Sequence, residues 1–168
     1  HAMAAAITSQ TELVSLELAN GEVGCVQPVR ELARLVAAER RRRLEAGEPR
    51  QLLLHVDASQ ATGQLAVNVS SLEADMVTVS AAKIYGPKQV GLLWCSDRVR
   101  LRPLVLGGGQ ERGVRSGTEN VAGIVGFARA LELAEALRRE EAARLRGLRQ
   151  GMEAELRREL PWCVVSGP

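Results

Sequence analysis

Residues 80–88, Ser-Ala-Ala-Lys-Ile-Tyr-Gly-Pro-Lys, contain the only two lysines of the chain, Lys83 and Lys88, whereas arginine occurs twenty times. The stretch follows an apolar run, 75–80, that predicts a buried strand ending in a loop. Lysine is the basic side chain that can lose its proton near neutral pH and condense with an aldehyde. Because open α/β sheets bind ligands at the carboxyl ends of their strands, Lys83 is a candidate catalytic residue. Taken alone, the counts of two lysines and twenty arginines are explained equally well by a codon bias towards arginine that left two surface lysines.

A second apolar run, 52–56, ends in the segment His55-Val-Asp-Ala-Ser-Gln60. This places Asp57 and Gln60 at the carboxyl end of another predicted strand. An Asp there, a Lys at the next strand end and glycine-rich loops beyond are the parts of a pyridoxal-phosphate site, in which the Asp keeps the pyridine nitrogen protonated. The alternative interpretation is that Asp57 only caps the following helix.

Four ordered motifs carry a family resemblance: H-V-D-A-x-Q from His55, S-x-x-K-I-Y-G-P-K from Ser80, G-G-G-Q-E-R from Gly107 and R-S-G-T-E-N from Arg115. Their order and spacing resemble the cysteine desulfurase and selenocysteine lyase family, which are class V aminotransferase-like enzymes of fold-type I. The resemblance runs from about Leu13 to the end of the chain. It implies a pyridoxal 5'-phosphate enzyme that removes sulfur from L-cysteine, giving alanine and an enzyme persulfide for iron–sulfur cluster or thio-cofactor synthesis.

The resemblance also implies roles for single residues. Lys83 would bind the cofactor aldehyde and, once freed by substrate, move the α-proton, while Asp57 would pair with the ring nitrogen. Gln60 would hydrogen-bond the ring hydroxyl, and Ser80 would contact the phosphate. Thr118 would reach into the neighbouring subunit's site, which implies a homodimer with shared sites; a sulfur-acceptor protein is a further possible partner.

Two positions depart from the family pattern. Ala82 stands where the family usually has a phosphate-contacting His, and Gly21 stands where it usually has a cofactor-contacting Asn. Losing two polar contacts at about 1 kcal/mol each should weaken cofactor binding by roughly 1–3 kcal/mol. A degenerate, non-catalytic dimeric scaffold of the same fold therefore stays open as an alternative. Selenocysteine lyase is the other alternative, because the insertion 43–50 resembles the longer connection of that branch.

The resemblance covers only part of the family's length. We expect residues 1–12 to be a tag scar and a flexible start. Residues 13–168 would be the second half of the cofactor-binding large domain, ending before the small C-terminal domain. The family's ring-stacking histidine, persulfide-forming cysteine and substrate-carboxylate arginine have no counterparts here, so catalysis is expected of the full-length parent and not of this chain alone.

Hydrophobic periodicity predicts the elements. Strands are expected at 13–19, 52–56, 76–80 and 90–95, the last antiparallel because a short loop precedes it, with a final strand at 162–165. One helix should begin with Pro28 in its first turn, bury Leu32, Leu35 and Val36, and end near Gly47. A second should run for some forty residues from about Glu119. Strands alternating with helices predict a three-layer α/β/α domain with a mostly parallel sheet.

Composition excludes several classes of protein. Net charge is +2 with acids and bases interspersed, which argues against a nucleic-acid surface. The basic run 40–43 is expected to form the solvated face of a helix. No apolar run is long enough to span a membrane. The three cysteines lack metal-ligand spacing, so buried, reduced thiols in a cytoplasmic protein are expected.

Overall fold

The computed structural model describes residues 2–167 and contains one four-stranded sheet. Its strands are β1 (Leu13–Glu17), β2 (Leu53–Asp57), β3 (Met76–Ser80) and β4 (Gly91–Cys95), in the order β1-β2-β3-β4. The first three strands are parallel, and β4 is antiparallel to β3. The predicted α/β class, the mostly parallel sheet and the antiparallel last strand are confirmed.

Four α-helices accompany the sheet: α1 (Ala2–Ala6), α2 (Val29–Glu45), α3 (Val69–Leu72) and α4 (Val121–Glu159). Two short 3₁₀ helices, Ala81–Ile84 and Glu111–Gly113, follow β3 and β4. Pro28 immediately precedes α2 instead of lying in its first turn. Helix α4 continues through both glycines that could have broken it, Gly147 and Gly151.

The core lies against one face of the sheet. Strands β2 and β3 alternate strictly, so that Leu54 and Val56 in β2 and Val77 and Val79 in β3 are buried. Their sequence neighbours on the opposite face are only half-buried. Helix α2 contacts β2 and α3 and contributes a set of buried residues, which are Val29, Leu32, Ala33 and Val36. Leu35 was expected among them but is 37% exposed, because it lies beside α1 at the edge of the inner face.

The arginine run 40–43 is not a wholly solvated face, and that expectation is wrong for two of its members. Arg43 is 2% exposed and donates to the carbonyl oxygens of Thr11 at 2.9 Å and Thr8 at 2.8 Å. Arg40 donates to the Leu52 carbonyl at 2.8 Å and pairs with the buried carboxylate of Asp75. The physical reason is the three-residue spacing, which puts both guanidinium groups on the inward side of α2.

Residues 2–6 form α1, which contacts α2, and the carbonyls of Thr8 and Thr11 are bound by Arg43. The tag scar and flexible start expected over residues 1–12 stay a prediction. The final strand predicted at 162–165 is absent from the described residues. Cys163 N–H instead donates to the Leu160 carbonyl at 2.9 Å in a turn, and no neighbouring strand supplies the hydrogen bonds that a strand requires.

All three cysteines, Cys25, Cys95 and Cys163, are free, but each is half-buried, so the prediction of buried thiols is wrong. Burial raises the pKa of the Cys95 thiol. Across residues 2–167, the helices include none with the length and apolar character needed to cross a bilayer.

Candidate active site

The predicted site residues lie along the carboxyl edge of the parallel strands. Asp57 is the last residue of β2 and is paired in register with Glu17 of β1 and Thr78 of β3. Lys83 lies in the 3₁₀ helix that begins directly after Ser80, the last residue of β3. Because β2 and β3 are adjacent and parallel, the chain leaves both strands at the same edge, as the sequence predicted.

The Asp57 carboxylate is held by its own turn. Its Oδ1 accepts the backbone N–H of Ser59 at 2.8 Å. Burial by itself raises the pKa of Asp57, but hydrogen bonds from Ser59 and Thr78 and the charge of His55 outweigh it, so the pKa lies below its ordinary value of 3.8. Asp57 is therefore an anion at neutral pH, which is the state needed to pair with a protonated ring nitrogen.

No role was predicted for His55, which lies on the same face of β2 as Asp57. Its Nδ1 lies 2.7 Å from the hydroxyl of Ser15 and its Nε2 lies 3.2 Å from the hydroxyl of Thr78. The imidazole thus links β1, β2 and β3 below the carboxylate. The signal was the alternation of polar and buried apolar residues in the second half of each strand: His55 and Asp57 in β2, and Thr78 and Ser80 in β3, lie on the sheet face away from the core.

Lys83 is exposed and forms no ion pair with any other residue between 2 and 167. Ser80 precedes the 3₁₀ helix, but its hydroxyl makes no capping hydrogen bond there. Lys88 is also exposed and lies beyond Pro87, farther along the loop.

Gln60 lies in the turn after β2, where the N–H of Ala61 bonds to the carbonyl of Ala58 at 3.0 Å. Its side chain is exposed and rests against Gly21, in the loop after β1. A Cβ atom on Gly21 would come within 2.8 Å of both Cδ and Nε2 of Gln60. The sequence treated Gly21 only as a missing contact, and spacing alone could not show that the two turns touch.

Thr118 is exposed in the loop before α4. The residue that caps α4 is Asn120, whose side chain accepts the N–H of Gly123 at 3.0 Å. The preceding loop is fixed by Gln110, which accepts the Gly117 N–H at 2.9 Å, and by buried Ser116. The predicted contact of Thr118 with a second subunit stays a prediction.

A groove of about 870 Å³ separates the loop after β3 from α4. Lys83 lies on one wall, and Arg129, Glu140 and Glu141 supply charged groups on the α4 wall. Most of the remaining lining is apolar or small: Gly63, Ile84, Tyr85, Gly86, Pro87, Gly126, Ala130, Leu133, Ala134 and Leu137. Asp57, Gln60, Ser80 and Thr118 do not line it, so it is a neighbour of the strand-edge cluster and not the same space.

The donor set suits pyridoxal phosphate better than a metal. Within the described chain, no three His, Cys, Asp or Glu side chains come together in a way that could hold a metal ion. The carboxyl edge of the sheet instead carries four polar groups: the anionic Asp57, the amide of Gln60, the Lys83 amine and the hydroxyl of Ser80, which makes no capping hydrogen bond. These are an acceptor for a ring N–H, hydrogen-bonding groups for oxygen atoms and a nucleophile for an aldehyde.

Comparison with known proteins agrees with this chemistry. Residues 1–167 match the family model described as aminotransferase class-V. The chain belongs to that family. It is 46% identical over 143 residues to cysteine desulfurase IscS 1 of Archaeoglobus fulgidus, a match that covers 85% of this chain and 34% of that protein. It is 38% identical over 163 residues to cysteine desulfurase IscS of Clostridium botulinum, with 97% of this chain and 38% of that protein covered.

Solved structures show the same relationship. A NifS-like protein superimposes with a TM-score of 0.81 at 41% identity, over 92% of this chain and 40% of that one. A NifS-like protein from Rickettsia africae superimposes with a TM-score of 0.80 at 31% identity, over 94% of this chain and 41% of that one. The chain therefore spans less than half the length of the relatives that it matches.

Proposed function

We propose that the complete protein containing this chain is a pyridoxal-phosphate-dependent cysteine desulfurase. The observation that carries the proposal is the position of two residues at neighbouring strand ends: the anionic Asp57 is the last residue of β2, and Lys83 lies just beyond the end of the adjacent β3. The names of the relatives support the same reaction, and a further similar structure is that of SspA in complex with cysteine, with a TM-score of 0.64 at 34% identity. The substrate would be L-cysteine, and the products alanine and sulfur bound to a cysteine of the enzyme.

Each residue contributes a distinct step. Asp57, kept anionic by Ser59 and Thr78, would hold a proton on the ring nitrogen. The bound cofactor would supply an electron sink that lets bonds at the substrate's α-carbon break. Lys83 would anchor the cofactor through its amine and then carry the α-proton, a task that suits an amine without an ion-pair partner among residues 2–167. Ser80 would donate its hydroxyl to the phosphate.

Homodimerisation and a role in iron–sulfur cluster or thio-cofactor synthesis belong to the same proposal. The homodimer is supported by Thr118, which is exposed in the loop before α4, and the role in sulfur chemistry is supported by the names of the relatives. Cysteine is preferred to selenocysteine as the proposed substrate because the relatives described above are named cysteine desulfurases.

The test compares the two lysines in the complete protein. Lys83→Ala should abolish the visible absorbance of the cofactor–lysine bond, the labelling of the protein by borohydride reduction, and sulfide release from cysteine. Lys88→Ala is the matched control, since Lys88 is exposed on the same loop, and should retain the absorbance and the reducible bond. A reducible bond that persists in Lys83→Ala would contradict the assignment. Wild-type protein that binds cofactor but releases no sulfide would favour the non-catalytic scaffold.

A further inference from the structure

His55 lies between two hydroxyl groups on the face of the sheet that is turned away from the core. Its Nδ1 is 2.7 Å from Ser15 Oγ on β1, and its Nε2 is 3.2 Å from Thr78 Oγ1 on β3. Ser15 is paired in register with His55, and Thr78 is paired in register with Asp57. The three side chains therefore form a row that crosses three strands and ends beside the Asp57 carboxylate.

The direction of these hydrogen bonds follows from the protons that each group can supply. An ionised carboxylate only accepts, so the hydrogen bond between Thr78 and Asp57 uses the single proton of the Thr78 hydroxyl. Thr78 Oγ1 must then accept from His55, which requires a proton on Nε2. With the ring proton on Nε2, the Nδ1 atom accepts the hydroxyl proton of Ser15. Ser15, His55 and Thr78 then all donate in one direction, towards Asp57.

The opposite tautomer of His55 would separate Thr78 from Asp57. A proton on Nδ1 would be donated to Ser15, and Nε2 would then accept the hydroxyl proton of Thr78. Asp57 would keep the backbone N–H of Ser59 at 2.8 Å but would lose the hydroxyl donor on its β3 side. Because His55 and Thr78 are half-buried, water would replace that donor only in part.

We propose that His55 is a positioning residue: by donating its Nε2–H to Thr78, it directs the Thr78 hydroxyl proton at the Asp57 carboxylate. This inference rests on the proposed function, because it takes Asp57 to be the partner of the cofactor ring nitrogen. A carboxylate that keeps this donor is held in one orientation towards the ring. The carboxylate paired with Asp57 on its other side is that of Glu17, which accepts Asn20 Nδ2 at 2.6 Å and is therefore engaged elsewhere.

The first measurement is made on the complete apo-protein, by NMR of the two ring nitrogens of His55 at neutral pH. We expect Nε2 to carry a proton in the wild type. Met76→Leu, a change in the apolar neighbour that is paired in register with His55, is the control and should leave Nε2 protonated. A proton on Nδ1 and none on Nε2 would overturn the inference, because Thr78 would then donate to His55 and not to Asp57. This readout needs no cofactor and no activity.

The second measurement compares sulfide release from cysteine by variants of the complete, cofactor-loaded protein. His55→Leu and Thr78→Val should each lower kcat by about three- to tenfold with little change in KM, the effect of one lost hydrogen bond. The double variant His55→Leu/Thr78→Val should be no slower than Thr78→Val alone, since both remove the same donor to Asp57. His55→Gln should recover most of kcat, because its amide Nε2 can donate to Thr78. Met76→Leu should behave as wild type does.

The outcomes distinguish the inference from the proposed function. An unchanged kcat in Thr78→Val, effects that multiply in the double variant, or His55→Gln as slow as His55→Leu would overturn the inference. The isosteric Thr78→Val and the wild-type ring signals keep the test decisive if His55→Leu lowers the melting temperature. Wild-type protein that binds no pyridoxal phosphate would instead overturn the proposed function and, with it, the assignment of Asp57 to the cofactor.

Discussion

Arg43 shows how a single charged residue can organise the part of the fold that supports the site. Its guanidinium is buried beside the half-buried Glu39, with Nε to Oε1 at 2.8 Å, and it also binds the carbonyls of Thr8 and Thr11. It therefore joins α2 to the segment that leads into β1. Its neighbour Arg42 is half-exposed and pairs with Glu39 at 2.8 Å and Glu48 at 2.9 Å.

These two arginines should respond very differently to substitution. Arg43→Met should lower the free energy of unfolding by about 1–3 kcal/mol, because Glu39 and the carbonyls of Thr8 and Thr11 lose the donors of a buried guanidinium. Arg42→Met should have a much smaller effect, because its ion pairs are screened by water. Urea denaturation of the 168-residue chain measures both. Equal effects of the two substitutions would mean that the burial of Arg43 contributes nothing specific.

At the scale of elements, α4 packs through small residues in its first half, whereas Gly147 in its second half has open space beside it. A Cβ on Gly126 would approach Pro87 Cγ to 2.8 Å, and Ala130 and Ala134 line the same groove. A Cβ on Gly147 would meet no atom within 4 Å. The first half of α4 thus fixes the loop that contains Lys83, whereas the second half extends from it.

The surroundings of Gly126 and Gly147, two of the glycines of α4, therefore predict opposite results for substitution by alanine. Gly147→Ala should stabilise the chain by about 0.5–1 kcal/mol, the usual gain of alanine over glycine inside a helix. Gly126→Ala should lose that gain and destabilise the chain by about 1–3 kcal/mol, because the new methyl group presses on Pro87. Urea denaturation followed by circular dichroism gives both values. Stabilisation by both substitutions would show that α4 does not press on the Lys83 loop.

For the whole molecule, the decisive property is how open the site is. Gln60, Lys83 and Thr118 are exposed, and only Asp57 and Ser80 are half-buried. Large apolar side chains are exposed as well, and the most exposed are Leu104, Tyr85, Val164, Leu44 and Leu106. Exposed apolar surface is often covered by other protein, and the relatives that this chain matches are more than twice its length.

We expect the 168-residue chain by itself to bind pyridoxal phosphate weakly, to release no sulfide from cysteine, and to self-associate. A bond between Lys83 and an aldehyde hydrolyses readily when water reaches it, and each hydrogen bond not made costs about 1 kcal/mol of affinity. Titration with cofactor, a sulfide assay and light scattering test the three points, with the complete protein as the control. Tight, saturable binding with sulfide release would show that residues 2–167 already enclose the site.

The sequence by itself determined the class of fold and the placement of Asp57 and Lys83. The periodicity of a strand and the polar residues at its end can be read from a short stretch of sequence. Because parallel strands present their carboxyl ends at one edge of the sheet, polar residues at the ends of adjacent strands are expected to be neighbours in space. The same kind of local information predicted both ends of β3 correctly and predicted that β4 is antiparallel. It failed at 162–165, where an apolar run has no neighbouring strand with which to pair.

Only the tertiary structure decided which side chains meet. The contact of Gly21 with Gln60 and the bonds of His55 to Ser15 and Thr78 join residues that are 23 to 40 positions apart. The inward position of Arg43 depends in the same way on carbonyls more than thirty residues earlier in the chain. Such contacts are set by how the turns and helices pack on the sheet, because the hydrogen-bonding partner of a polar side chain is fixed by its distance in space and not by its spacing along the chain.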